Sequence, residues 1–232
     1  HMLFRGNLAY PNSYLLNREF ELIGRDLRAS TMSDHTYYGF SPHISNIGRA
    51  MELFSEFFWE PLFPEVELER GIILEEYLED LNEKGVDVDI NSLACKLLYP
   101  EDALAWPTIG TEKSIRNINV KDLKEHYTKF YTPDNMILVT AGCVDHKSFF
   151  NCAKKYFSRL VGNGSTPSNH FSETLNEAQL QPGLLFQYDS DSQVQLQLCF
   201  RAVSYNHPDY FISTLISRLF DDGVTSRLQK VL

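Results

Sequence analysis

Apolar residues recur at helical spacing along much of the chain. Leu16, Phe20, Ile23 and Leu27 step by four, three and four, and Gly24 interrupts the run late, which predicts a helix over 11–24 running into a turn. Residues 27–40 lose that period, are rich in Thr and Tyr and carry a Ser-Asp punctuation, so they read as a strand pair. Residues 45–59 set Ile47, Ala50, Met51, Leu53, Phe54, Phe57 and Phe58 on one broad face, with Ser45 as N-cap and Pro61 as the stop. Pro64 suits a first-turn proline, and Glu65, Glu67 and Glu69 load the positive end of the next helix dipole, which predicts the longest helix, from there to Leu81 or Gly85. Further amphipathic helices are expected over 89–98, 120–130, 148–160 and 208–220. A short buried strand is expected over 135–142, bounded by Pro133-Asp134 and Gly142, and further strands over 183–188 and 193–200, the last alternating Val194, Leu196, Leu198 and Phe200 with mostly polar residues. The Gly-, Ser- and Asn-rich stretch 161–172 carries no apolar period and reads as a domain boundary. Two strands and one helix beyond it cannot bury their own apolar faces, so the second domain is expected to be incomplete.

The 232 residues, 43% hydrophobic and 22% charged, fit a globular chain and exclude collagen-like and disordered classes. The net charge of −10 repels polyanions, so nucleic acid is not expected as a partner. Runs such as 136–139 fall far short of the roughly 20 residues that span a bilayer, and no basic-then-apolar leader opens the chain, so no membrane segment is expected here. Cys95, Cys143, Cys152 and Cys199 are scattered and read as buried free thiols. The compartment stays open: bacterial cytoplasm, periplasm and an organelle matrix fit equally.

Catalytic signatures such as a GxSxG elbow, a Gly-rich phosphate loop, HExxH and CxxC are absent. A carboxylate-rich helix and seven histidines remain. Glu69 and Glu76 are seven residues apart, two helical turns, and project from nearly the same face with Ile73 between them. Such a pair suits a metal or acid/base site, or simply the solvated side of a helix. His35, His43, His126, His146, His170 and His207 lack ligand spacing and read as structural or exposed. His1 stands apart, although an initial His-Met is equally what expression vectors leave behind.

Two blocks, His1-Met2-Leu3-Phe4-Arg5-Gly6 and Glu69-Arg70-Gly71-Ile72-Ile73-Leu74-Glu75-Glu76, resemble the zinc peptidases of the pitrilysin/insulinase family. In that family an inverted motif, H-x-x-E-H, runs into a segment like MLF[KR]G, and a third ligand comes from a glutamate in a block like ER-x-VIL-x-E. His1 corresponds to the last histidine and Glu76 to the distal glutamate. Further blocks follow in order: Gly24 to Tyr38, Pro107 to Thr111, Tyr131 to Gly142, and Phe220 to Leu228. The resemblance therefore spans nearly all of the chain.

The resemblance implies an α+β fold, a mainly antiparallel sheet with helices packed on one face, repeated in two homologous halves. Residues 1–165 would form the first peptidase-type domain, without its N-terminal strands and most of the zinc helix, and 166–232 the start of the second. It implies Zn²⁺ as cofactor, His1 and Glu76 as metal ligands, and Glu69 as a carboxylate supporting the zinc site. It implies a strand edge, Arg28, Ala29, Ser30 and Thr31, that aligns a peptide substrate by main-chain pairing. Arg28 departs from the usual asparagine, and either shifts preference toward acidic residues or marks a degenerate site. The first histidine and the water-activating glutamate of the motif would precede His1, so the stretch by itself is expected to bind zinc weakly or not at all and to lack peptidase activity. The parent is read as a zinc endopeptidase cleaving peptides or small unfolded proteins in a chamber closed by a second half or a partner subunit. The alternative is a non-catalytic homologue serving as partner subunit or peptide-binding scaffold.

Overall fold

The first buried contacts form between two helices whose apolar faces were legible in the pattern: α1 (Ser13–Ile23) packs on α2 (Ile47–Phe57), burying Leu16 and Phe20 against Leu53 and Phe57. The computed structural model describes residues 1–100, 102–159, 183–190, 193–222, 225–228 and 230–231, which divide into two units, 1–190 and 191–232.

In the first unit, Asn12 caps α1 by accepting from the Leu15 N–H at 2.9 Å. β1 (Arg28–Thr31) and β2 (Thr36–Gly39) pair antiparallel with Thr31 opposite Thr36 and Arg28 opposite Gly39. The expected strand pair after the first helix is thus present. Helix α3 (Val66–Glu79), at 14 residues, is the longest among the described residues. It is followed by α4 (Ile90–Leu98), capped by Asp89, α5 (Glu112–Asn117), α6 (Val120–Phe130), capped reciprocally by Asn119 and Asp122, and α7 (His146–Phe157), capped by Asp145. Helix α7 packs on α2, and α3 on α5. The core is aromatic: the Phe57 ring lies 5.2 Å from Phe4, 6.2 Å from Phe20 and 5.0 Å from Phe58, all at steep angles.

Two expectations about helix starts are corrected. Ser45 does not cap α2; it lies in a separate 3₁₀ turn, Ile44–Asn46, where its N–H donates to the Nδ1 of His43. Pro64 is not in the first turn of α3, because Glu65, the N-cap, takes a left-handed φ of 55° and turns the chain after the proline. Glu60 and Phe63 have positive φ as well, so the connection from α2 to α3 is strained at three non-glycine residues and is held by the burial of Phe63.

Three expected strands do not form. Residues 136–140 run without ladder bonds; Met136 and Leu138 turn to the core while Ile137 and Val139 are 92% and 78% exposed. The two-residue alternation is there, but a strand needs a neighbour's N–H and C=O groups, and no described residue supplies them. Residues 183–188 lack a ladder for the same reason. Among the described residues the sheet is therefore two strands in a mixed, mainly helical structure. The expected boundary at 161–172 lies outside the described residues.

The second unit contains α8 (Tyr210–Phe220), close to the expected 208–220. Residues 193–200 do not form a strand, and Val194 and Phe200 are exposed. Among the described residues no helix is long and apolar enough to cross a membrane. Cys95, Cys143, Cys152 and Cys199 are free thiols but not buried as expected: Cys95 and Cys152 are partly buried, and Cys143 and Cys199 are exposed.

Candidate functional site

The chain start is fixed to the core by its own apolar residues. Met2 and Leu3, buried in a 3₁₀ turn (Met2–Arg5), pack beside α1, and Phe4 N–H donates to the His1 carbonyl at 2.9 Å. Gly6 follows with φ 136°, and a Cβ there would lie 2.7 Å from the Pro11 carbonyl carbon, so glycine alone makes this turn. Asn7, fully buried, donates to the Glu56 carbonyl at 2.8 Å and accepts from the Tyr10 N–H at 2.7 Å. Leu62 N–H donates to the Gly6 carbonyl, which draws the chain start to the connection before α3.

That docking brings His1 to α3. Its Nδ1 lies 2.8 Å from Oε1 of Glu69, and its Nε2 lies 3.7 Å from Oε2 of Glu76. Glu69 is the one buried residue of α3. A buried carboxylate requires compensation, and Arg5 supplies it: Nε donates to Glu69 Oε2, Nη2 makes an ion-pair contact with the same oxygen, and Nη1 lies 3.8 Å from Glu65. His1 and Glu76 are half exposed and open to ligand.

These atoms fit a shared zinc ion. Donors of a tetrahedral zinc, each bonded at about 2.0–2.2 Å, lie roughly 3.4 Å apart, a few tenths inside the observed 3.7 Å between His1 Nε2 and Glu76 Oε2. Glu69 Oε1 meets His1 Nδ1, which turns Nε2 toward Glu76; a carboxylate on the nitrogen that does not bind the metal is the usual arrangement around a metal-bound histidine. The pair is two donors, not three: among the described residues no group of three or more His, Cys, Asp or Glu is gathered as a metal site.

A cavity of about 370 Å³ opens beside these groups, bounded by His1, Phe4, Arg5 and Glu69, by Ser13 and Asn17 of α1, and by Ala29 of β1. Of the four strand residues expected to meet substrate, Ala29 lines this cavity; Arg28, Ser30 and Thr31 are exposed and do not. Arg28 is already engaged, its Nε 3.2 Å from Oδ2 of Asp26. The residue that sequence reasoning missed is Arg5. Its partner lies 64 residues away on another element, and no local spacing signals the pair.

Residues 1–111 match the family model described as insulinase (peptidase family M16), and residues 117–232 the one described as peptidase M16 inactive domain. The chain is 23% identical to the uncharacterized zinc protease YmxG of Bacillus subtilis over 230 residues, 98% of this chain and 54% of that protein. It is 26% identical to the mitochondrial-processing peptidase subunit beta of Saccharomyces cerevisiae, over 92% of this chain and 46% of that one. The crystal structure of the first half of the periplasmic protease PqqL from Escherichia coli superposes with a TM-score of 0.58 at 28% identity, covering 70% of this chain and 36% of that one. The chain spans about half the length of the curated relatives it matches.

Proposed function

The chain belongs to the insulinase (M16) peptidase family, and from that premise we propose that the complete protein is a zinc-dependent endopeptidase hydrolysing peptides or small unfolded proteins. The observation that carries the reading is the convergence of His1 Nε2 and Glu76 Oε2, 3.7 Å apart, with Glu69 behind the imidazole. His1 and Glu76 are the metal donors, and Glu69 orients His1 by accepting its Nδ1–H. Bound zinc supplies a Lewis acid and lowers the pKa of its water toward neutrality. β1 offers the edge not paired to β2 to an extended peptide, which it holds by main-chain hydrogen bonds, with Ala29 facing the cavity. In this reading residues 1–165 are the first of two homologous halves, each a mainly antiparallel sheet with helices on one face, and 166–232 begin the second. A second half or partner subunit closes the chamber around the peptide.

The test is Glu76→Gln in the complete protein. Zinc content by elemental analysis falls sharply and peptidase activity with it, while the circular dichroism spectrum is kept, because a neutral amide is a poorer ligand than a carboxylate. Unchanged zinc content overturns the assignment. The competing reading, a non-catalytic partner subunit or peptide-binding scaffold, draws on the inactive-domain description of 117–232. The codons directly before His1 separate the two: H-x-x-E supports the enzyme, any other tetrapeptide the scaffold.

A further inference from the structure

We infer that Arg5 is a positioning residue for the metal histidine: by holding Glu69 it fixes which nitrogen of His1 faces Glu76. The inference rests on the reading of His1 and Glu76 as zinc donors.

The geometry is a short chain of contacts across two elements. Arg5 closes the 3₁₀ turn that begins after His1, so the imidazole and the guanidinium leave the same turn and reach the same carboxylate. Arg5 donates from Nε to Oε2 of Glu69, with Nη2 in ion-pair contact with the same oxygen, and has no acceptor to offer. With Oε2 occupied, Oε1 is the oxygen left for His1, at 2.8 Å from Nδ1. A carboxylate oxygen can only accept, so Nδ1 carries the hydrogen of this contact. The ring is thereby turned with Nε2 toward Glu76, the nitrogen that a shared metal would need. Burial favours a fixed arrangement: the side chains of Arg5 and Glu69 are 17% and 6% exposed, whereas His1 is 48% exposed and is oriented by its contact with Glu69. The Arg5 guanidinium brings a permanent positive charge to the buried carboxylate.

The experiment uses the complete protein with Arg5→Gln, Arg5→Lys and Glu69→Gln singly, and Arg5→Gln combined with Glu69→Gln. Zinc affinity is read by chelator competition, and the His1 tautomer by ¹⁵N NMR of the imidazole in zinc-free protein. Arg5→Gln is expected to weaken zinc roughly 10- to 100-fold, the range for losing a group that orients a metal ligand, and to replace the single Nδ1–H tautomer by a mixture. Arg5→Lys restores part of the affinity. In the Glu69→Gln background Arg5→Gln changes affinity less than about threefold, since both steps act through one carboxylate. A merely structural ion pair would lower the melting temperature and leave the tautomer alone. Wild-type affinity and tautomer in Arg5→Gln, while Glu76→Gln still strips zinc, overturns this inference and leaves the zinc reading standing. Unchanged zinc in Glu76→Gln overturns both. Should Arg5→Gln fail to fold, undiminished affinity with an unchanged tautomer in Arg5→Lys overturns the inference equally.

Discussion

The ring of Tyr38 in β2 lies 5.4 Å from that of Phe57 in α2, which ties the strand pair to the helix at the centre of the core. Phe57 also meets Phe4, three residues from His1, so one side chain supports both the strand edge and the chain start. Phe57→Ala removes a fully buried ring from a cluster too crowded to collapse around the gap. The expected cost is about 3–5 kcal/mol, measured by urea denaturation, and a loss below about 1 kcal/mol would show that the cluster does not carry the fold.

Arg28 and Asp26 pair at 3.2 Å on an exposed surface, so the cation standing where the family pattern has asparagine meets its counter-charge within the chain. If β1 holds substrate, Asp26→Asn in the complete protein raises kcat/KM for acidic over neutral peptides about two- to fivefold at low salt, the scale of one exposed ion pair, and the gain fades at high salt. An unchanged ratio at low salt removes Arg28 from substrate selection.

Asp80, at the end of α3, has its carboxyl pushed above the usual carboxylate range by partial burial first and then by Asp89, Asp87 and Glu79. With the folded value above the unfolded one, ionised Asp80 destabilises the fold at neutral pH, and the penalty disappears as pH falls through the folded value toward the unfolded one, about 3.9. Asp80→Asn should raise the melting temperature at pH 7 by a stabilisation of at most about 0.5 kcal/mol, with no gain near pH 3.5. A lower melting temperature at pH 7, or the same gain at both pH values, contradicts this origin.

Helices were legible because their information is local. Leu16, Phe20 and Ile23 repeat at the helical period, and Asn119 with Asp122 or Asp145 with Ser148 satisfy free N–H groups within one turn. The hairpin of β1 and β2 was legible because its partners are separated by a short turn. The strand over 135–142 was read as a short buried run and that over 193–200 from an apolar alternation, but Ile137 and Val139 are exposed, and a ladder is a property of two segments. Likewise, left-handed Glu65 comes from docking the α2–α3 connection, which Pro64 alone could not reveal.

By itself the sequence determined which faces are apolar, where most helices run, and that an imidazole at residue 1 and carboxylates at 69 and 76 belong to one recognisable pattern of blocks. Only the tertiary structure decided that Glu69 is buried, that His1 turns Nδ1 to it and Nε2 to Glu76, and that Arg5 closes the group from the other side. The reason is physical: periodicity is written in neighbours a few residues apart, whereas burying a charge demands a partner in space, and the packing of α1 and α2 around Met2, Leu3 and Phe4 brings that partner in.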